Sequence, residues 1–300
     1  MTRRALTSLV ALAAIVAGCG LGPGRGTSDV SVTVTKGFGA TRVATATAKQ
    51  VPGSETVMRM LERRFNVQTK YGGGFVESIN GLSGIPPHLD WFYYVNGVQA
   101  PAGAAATAVH KGDHIWWDLH DWTATDTIPA VVGSFPEPFV HGVGGKRLPT
   151  TLECAADVPH ACTLVGAALK AAGIPYASQY IGTGSGQDTL GVVVGTWNDL
   201  RGEVAAALID HGPSASGVYA RFSGGALQLL DPAAKPVRSL GPGSGLVAAT
   251  ADSQSKPTWF VTGVDSEGVT AAAQAVTPRR LDGHFAVAVD SGADYPLPVR

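Results

Sequence analysis

Cys154 and Cys162 stand eight positions apart and form the plainest reactive pair in this 300-residue chain. In an oxidising compartment two such thiols close a disulfide. On the chain-entropy model so short a loop adds about 2–3 kcal/mol of stability. A metal pair is the rival reading, and no further ligands stand at a suitable spacing. A second set of groups crowds one stretch: His110, Asp113, His114, Asp118, His120 and Asp121. Side chains alternate along a strand, so His114, Trp116, Asp118, His120 and Trp122 share a face. At roughly 3.3 Å per residue, His114 and His120 stand about 20 Å apart and cannot share one ion. Only Asp118 and His120 are close enough to cooperate, and the pattern predicts a solvated strand face without a metal. Trp91, Tyr93, Trp116 and Trp122 are the candidate ligand-contacting residues. Such rings fill a small sheet's core or line a concave surface with apolar area and a polar edge. Tyr93-Tyr94 and Trp116-Trp117 must point to opposite faces. One ring of each pair therefore needs cover from solvent, a second domain or a ligand. Catalytic signatures are missing: the chain has no H-E-x-x-H, no G-x-S-x-G and no complete G-x-x-x-x-G-K-[ST]. His211 and Ser214 lie close in sequence without an orienting carboxylate. The Gly/Ser-rich stretches at 182–186 and 241–245 read as turns, because a dinucleotide loop follows a strand and opens a helix. No enzymatic activity and no cofactor are expected.

Hydrophobic residues make up 45% of the chain, enough for a substantial core. Charged residues are 15% and the formal net charge is −1, so no basic face is available for a nucleic-acid partner. The N-terminus is distinctive. Met1-Thr2-Arg3-Arg4 is basic, and Ala5 to Ala17 is an apolar run of about a dozen residues, too short to span a bilayer. This describes a secretory signal peptide over residues 1–18. Val16-Ala17-Gly18-Cys19 resembles the bacterial lipobox. The resemblance implies cleavage before Cys19, acylation of its thiol and anchoring in membrane lipid on the extracytoplasmic face. Residues 19–28 read as a flexible tether.

The elements that position the candidate groups follow from periodicity. Val30–Thr35 and Arg42–Ala48 alternate as half-buried strands. Pro52-Gly53-Ser54 announces a helix with Ser54 as N-cap and Glu55 in its first turn. Val57, Met58, Leu61 and Phe65 form its apolar face. Phe75–Ile79 and Trp91–Val95 are strands that end in Asn80-Gly81 and Asn96-Gly97, residues suited to the positive φ of tight turns. His114–Leu119 is a last strand. Residues 29–122 thus form a mixed sheet crossed by one helix, residues 123–149 read mostly as a Pro/Gly-rich linker in which Phe135 and Phe139 are candidates to pack on a neighbour, and residues 150–300 form a second α+β domain. In the latter, Val218–Phe222 and Phe285–Val289 stand 67 positions apart within a similar strand–helix–strand order, which suggests an internal βαβ duplication and a pseudo-symmetric sandwich. The fold class is α+β.

Trp91-Phe92-Tyr93-Tyr94-Val95-Asn96-Gly97, followed by Gly112-Asp113-His114-Ile115-Trp116-Trp117, resembles the transcobalamin-like C-terminal domain of many bacterial surface proteins and lipoproteins. The resemblance spans about residues 30–122. It implies a β-grasp-like fold and an extracytoplasmic binding module, with cobalamin or another corrinoid as the first candidate ligand and a membrane importer as a possible partner. The helical-barrel half that closes the site in the animal carriers has no counterpart in this sequence. A cleft between the two domains is the expected site. The alternative is an envelope interaction module that presents an aromatic patch to a protein or glycan and takes no small ligand.

Overall fold

The computed structural model describes residues 26–300 except 86, 184, 185, 187 and 253–255. The signal segment, Cys19 and most of the tether lie outside the described residues. The first unit runs β1 (Val30–Lys36), β2 (Thr41–Ala48), α1 (Val57–Glu62), β3 (Val67–Lys70), β4 (Phe75–Ile79), β5 (Leu82–Ser83), β6 (Leu89–Val95), β7 (Val98–Gln99) and β8 (His114–Asp121). Its main sheet has the order β2-β1-β8-β6-β7, and β1 and β8 are parallel. Strand alternation does the sorting. Val30, Val32 and Val34 of β1, Trp91 of β6 and Ile115, Trp117 and Leu119 of β8 pack with Met60 and Leu61 of α1. The small sheet β3-β4-β5 flanks this core. Asn80-Gly81 and Asn96-Gly97 turn with φ of 51° and 80°, and 54° and 73°, as tight turns require.

Helix α1 starts later than Ser54 suggests. Thr56 is the N-cap, and its hydroxyl accepts the Arg59 N–H at 3.3 Å. The backbone N–H groups of Val57 and Met58 donate instead to the Thr107 and Ala104 carbonyls. Those tertiary acceptors take over the first-turn donors, and Glu55 is left buried before the helix, where it pairs with Arg63 at 3.1 Å.

The second unit runs β9 (Thr150–Cys154), α2 (Pro159–Ala171), β10 (Ala177–Tyr180), β11 (Leu190–Thr196), α3 (Trp197–Leu200), α4 (Val204–Asp210), α5 (Pro213–Ser216), β12 (Ala220–Ser223), β13 (Ala226–Leu230), β14 (Pro236–Leu240), β15 (Gly245–Thr250), β16 (Thr258–Gly263), α6 (Ser266–Ala275), α7 (Pro278–Leu281), β17 (Ala286–Asp290) and β18 (Ala293–Leu297). A seven-stranded sheet has the order β10-β9-β11-β16-β15-β17-β18. Strands β10, β9, β11 and β16 are parallel; β15 and its neighbours pair antiparallel. Helices α2 and α6 cover one face through Val192, Val194, Val247, Val261 and Val287. Helix α4 and the three-stranded sheet β12-β13-β14 cover the other through Leu246, Ala248, Phe260 and Ala288. The chain is α+β throughout.

The two stretches paired by the proposed duplication occupy different sheets. β12 folds back on β13 as a hairpin in the three-stranded sheet, whereas β17 lies beside β15 in the large one. The repeated order in sequence is therefore not repeated in space. Cys154 and Cys162 are joined, with Cα atoms 6.0 Å apart, and pin the end of β9 to the first turns of α2. Replacing both with serine is expected to cost about 2–3 kcal/mol on the chain-entropy model, lowering Tm by about 3–5 °C in scanning calorimetry.

Residues 123–149 are not a free linker. Ile128, Val131, Val132, Phe135, Phe139 and Leu148 are all buried. The Val131 N–H donates to the Gly97 carbonyl at 2.9 Å, and the Val132 N–H donates to the Phe285 carbonyl at 3.1 Å. This strap stitches the β6–β7 turn to the residue before β17. Its apolar side chains sit where neither unit alone closes its core, so they are buried despite their Pro/Gly-rich surroundings. Phe38, Tyr94 and Trp116 of the first unit join Tyr219 and Phe285 of the second in one apolar cluster.

Candidate functional site

β8 is the meeting point of the two units. Its odd-numbered residues face the first unit's own core, and Trp116, Asp118 and His120 point the other way. This is the face that the His/Asp pattern assigns to solvent, and it is buried instead. Phe285 and Tyr219 of the second unit cover it. The physical reason is the aromatic excess: Trp116 on this face needed cover, and the second unit supplies it.

Asp118 is the polar centre of the contact. One carboxyl oxygen accepts the Phe38 N–H at 2.7 Å and the His120 Nδ1–H at 3.0 Å. The other accepts the Gly39 N–H at 2.8 Å and the Thr35 hydroxyl, which in turn accepts the Trp116 indole N–H at 2.7 Å. The His120 ring is stacked between Phe38 and Phe92, with centroids at 4.6 and 4.4 Å, and Phe285 meets it edge-on. Every acceptor position of the carboxyl group is used within the fold, so Asp118 organises the interface and leaves nothing for a ligand.

The other members of the His/Asp set do not converge on one point, although His110 Nδ1 and Asp113 stand 3.5 Å apart. His114 bridges the Thr33 and Ser134 hydroxyls at 3.1 Å each, and burial lowers its pKa below the usual imidazole value. Asp113 accepts the His110 N–H at 2.7 Å and the Asn96 amide at 2.9 Å; burial raises its pKa, and these hydrogen bonds work against the shift. Asn96 also donates to the Gly142 carbonyl and accepts the His114 N–H, each at 2.9 Å. The Asn-Gly and Gly-Asp motifs thus meet to tie two strands and the strap together. Asp121 accepts the Thr123 N–H at 2.7 Å. Among the described residues no three His, Cys, Asp or Glu side chains gather to hold a metal ion.

The four aromatic candidates do not form one platform. Trp91 is buried in the first unit's core, and its indole N–H has no partner among the described residues. Trp116 is fully buried on the opposite side of the sheet. Tyr93 stacks on Trp117 at 4.9 Å, and its hydroxyl bonds the Ala102 carbonyl and the Thr107 hydroxyl. Trp122 is half-buried and donates its indole N–H to Asp90 at 3.0 Å. Alternation along β6 and β8 sends Trp91 and Trp116 to different faces, so one ligand cannot lie across both.

The two units do leave an open groove beside β7. It measures about 790 Å³ and is lined by Val98, Pro101, Pro129, Leu208, Ala215 and Lys256, among others. That volume lies within the range of small-molecule sites. Gln99 fixes one wall: its backbone N–H donates to the Pro129 carbonyl and its side-chain oxygen accepts the Ile128 N–H, both at 3.0 Å. The groove combines short segments far apart in sequence, none with a motif. The only sequence signal is Asn96-Gly97, which marks the hairpin whose return strand forms the wall.

Residues 54–121 match the family model described as a domain of unknown function, DUF4430. The match lies within the first unit. No curated protein matches the chain. Among solved structures, the crystal structure of a "putative metal binding protein" from Ruminococcus gnavus ATCC 29149 is similar at 18% identity and a TM-score of 0.26, covering 31% of this chain and 97% of that one.

Proposed function

We propose that this chain is a membrane-anchored extracytoplasmic binding lipoprotein that captures a small molecule in the groove between its two units for delivery to a membrane importer. The groove beside β7 carries the reading, because it is built by both units, has the volume of a ligand site and has walls fixed by backbone hydrogen bonds. The signal segment and Cys19 support the anchoring. The transcobalamin-like motif makes a corrinoid the first ligand to test.

Calorimetric titration of the full-length chain in detergent with cyanocobalamin and cobinamide tests the proposal. Saturable binding at micromolar affinity or tighter is expected, and Leu208→Trp or Ala215→Trp should abolish it by filling the groove. Absence of heat with both corrinoids at millimolar concentration would remove them as ligands. One feature favours the second reading, an envelope interaction module. Tyr71, Phe75 and Ile85 are 88%, 38% and 67% exposed around the β3–β5 sheet, and the Tyr71 and Phe75 rings meet edge-to-face at 6.3 Å.

A further inference from the structure

A second cavity lies wholly in the second unit, beyond the carboxyl ends of the parallel strands β11 and β16, where open α/β sheets commonly take their ligands. It holds about 250 Å³ and is bounded by Trp197 and Asn198 on α3, Arg201 at that helix's C-cap, Val264 just after β16, Asp210 at the end of α4, and the β12–β13 hairpin. Trp197 and Phe222 stack with centroids 4.5 Å apart and planes inclined by 11°, and form an apolar wall. At about 30 Å³ per water, the space takes about eight non-hydrogen groups. That suits a metabolite the size of an amino acid.

The charges narrow the class. Arg201 and Asp210 line the same cavity, yet they form no ion pair with one another or with any other described residue. The Asn198 side chain likewise makes no hydrogen bond among the described residues. A guanidinium offers a planar fork that matches a carboxylate, and a carboxylate accepts an ammonium group. A ligand with only a negative group would face Asp210 unfavourably, and one with only a positive group would face Arg201 in the same way. A molecule carrying both groups satisfies the pair.

We infer that this cavity binds a free α-amino acid with an apolar side chain: the carboxylate on Arg201, the ammonium on Asp210 and the side chain against Trp197 and Phe222. Asn198 is placed to hydrogen-bond either polar group. An added Cβ at Gly224 or Gly225 would meet no atom within 4 Å, so the hairpin tip leaves the mouth open for entry. The site is separate from the groove beside β7, and neither the binding nor the failure of a corrinoid there bears on it.

The test is calorimetric titration of the full-length chain in detergent with L-leucine and L-phenylalanine. The single-charge analogues isocaproate and isoamylamine, and hydrocinnamate and phenethylamine, run beside them. At least one amino acid should bind saturably with submillimolar Kd. Its two analogues should each bind at least about tenfold more weakly, and Arg201→Ala and Asp210→Asn should each weaken the amino acid by about tenfold or more. Both residues are exposed, so these variants should keep the parent's circular dichroism and Tm. Leu208→Trp in the groove should leave amino-acid binding unchanged. The inference is overturned if neither amino acid binds at millimolar concentration, if an analogue with one charge binds as tightly as its parent, or if folded Arg201→Ala retains full affinity.

Discussion

Asp118→Ala is expected to lower Tm by about 7 °C, making it the most damaging polar-to-alanine change at the centre of the molecule. The carboxyl group accepts two backbone N–H groups, a threonine hydroxyl and an imidazole N–H, all in a buried site. Truncation orphans these donors at about 1–3 kcal/mol each before relaxation. Partial repacking leaves a net cost on the order of 4 kcal/mol, which for a chain of this size corresponds to about 6–8 °C. Asp118→Asn keeps the volume and one acceptor oxygen, but turns an NH2 group toward other donors, so about half of the loss should remain. Calorimetry and tryptophan fluorescence should report one shared transition in each variant, because the residues that Asp118 fixes belong to the cluster common to both units. A shift below about 2 °C for Asp118→Ala would mean that water or neighbouring groups satisfy the donors, and that the network is not what holds the 35–39 loop in place.

The same network marks the boundary of what was legible in the sequence. Alternation placed β1 and β2, and the Asn-Gly pairs marked the ends of β4 and β6, because those signals are local. They are set by side-chain period and by the few residues that accept positive φ. Alternation also required one face of Trp116-Trp117 and of Tyr93-Tyr94 to find cover, but the identity of that cover is a long-range fact. His and Asp are usual on solvated strands, so Asp118 and His120 read as surface. In the fold, Phe38, Phe92 and Phe285 come from three separate segments to enclose His120. The strap at 123–149 was legible only at Phe135 and Phe139, which are buried, for a related reason. Proline and glycine suppress periodicity, and the buried residues between them have no regular spacing to reveal them. The cavity at Arg201 and Asp210 was illegible because its parts lie on α3, α4 and a hairpin, brought together only by the packing of α4 and the hairpin sheet on the large sheet.

Gly39→Ala is expected to exceed the cost of an ordinary glycine substitution by separating the units. Gly39 has φ of +81°, and a Cβ there would lie 1.7 Å from the Gly283 carbonyl oxygen and 3.0 Å from the Trp116 ring. The first obstacle is backbone, so no rotamer relieves it; one loop must withdraw. Because Phe38 is the preceding residue, withdrawal drags its ring away from His120, Tyr219 and Phe285. Gly81→Ala is the matched control. Its φ is +80°, but nothing lies within 4 Å of the added carbon, so only left-handed strain of about 1–2 kcal/mol applies. Gly39→Ala should cost at least about 2 kcal/mol more than this control, and hydrogen exchange locates the difference. The Val131 and Val132 amides, which bond to Gly97 and Phe285 across the strap, should exchange about 30-fold faster or more in Gly39→Ala, the factor that 2 kcal/mol implies. In Gly81→Ala they should keep their protection. Equal destabilisation by the two substitutions would show that the 39–283 approach can open without loosening the contact between units. A selective effect at Val131 and Val132 would show that this single backbone contact sets the geometry of the shared core, and with it the wall of the groove at Gln99 and Pro129.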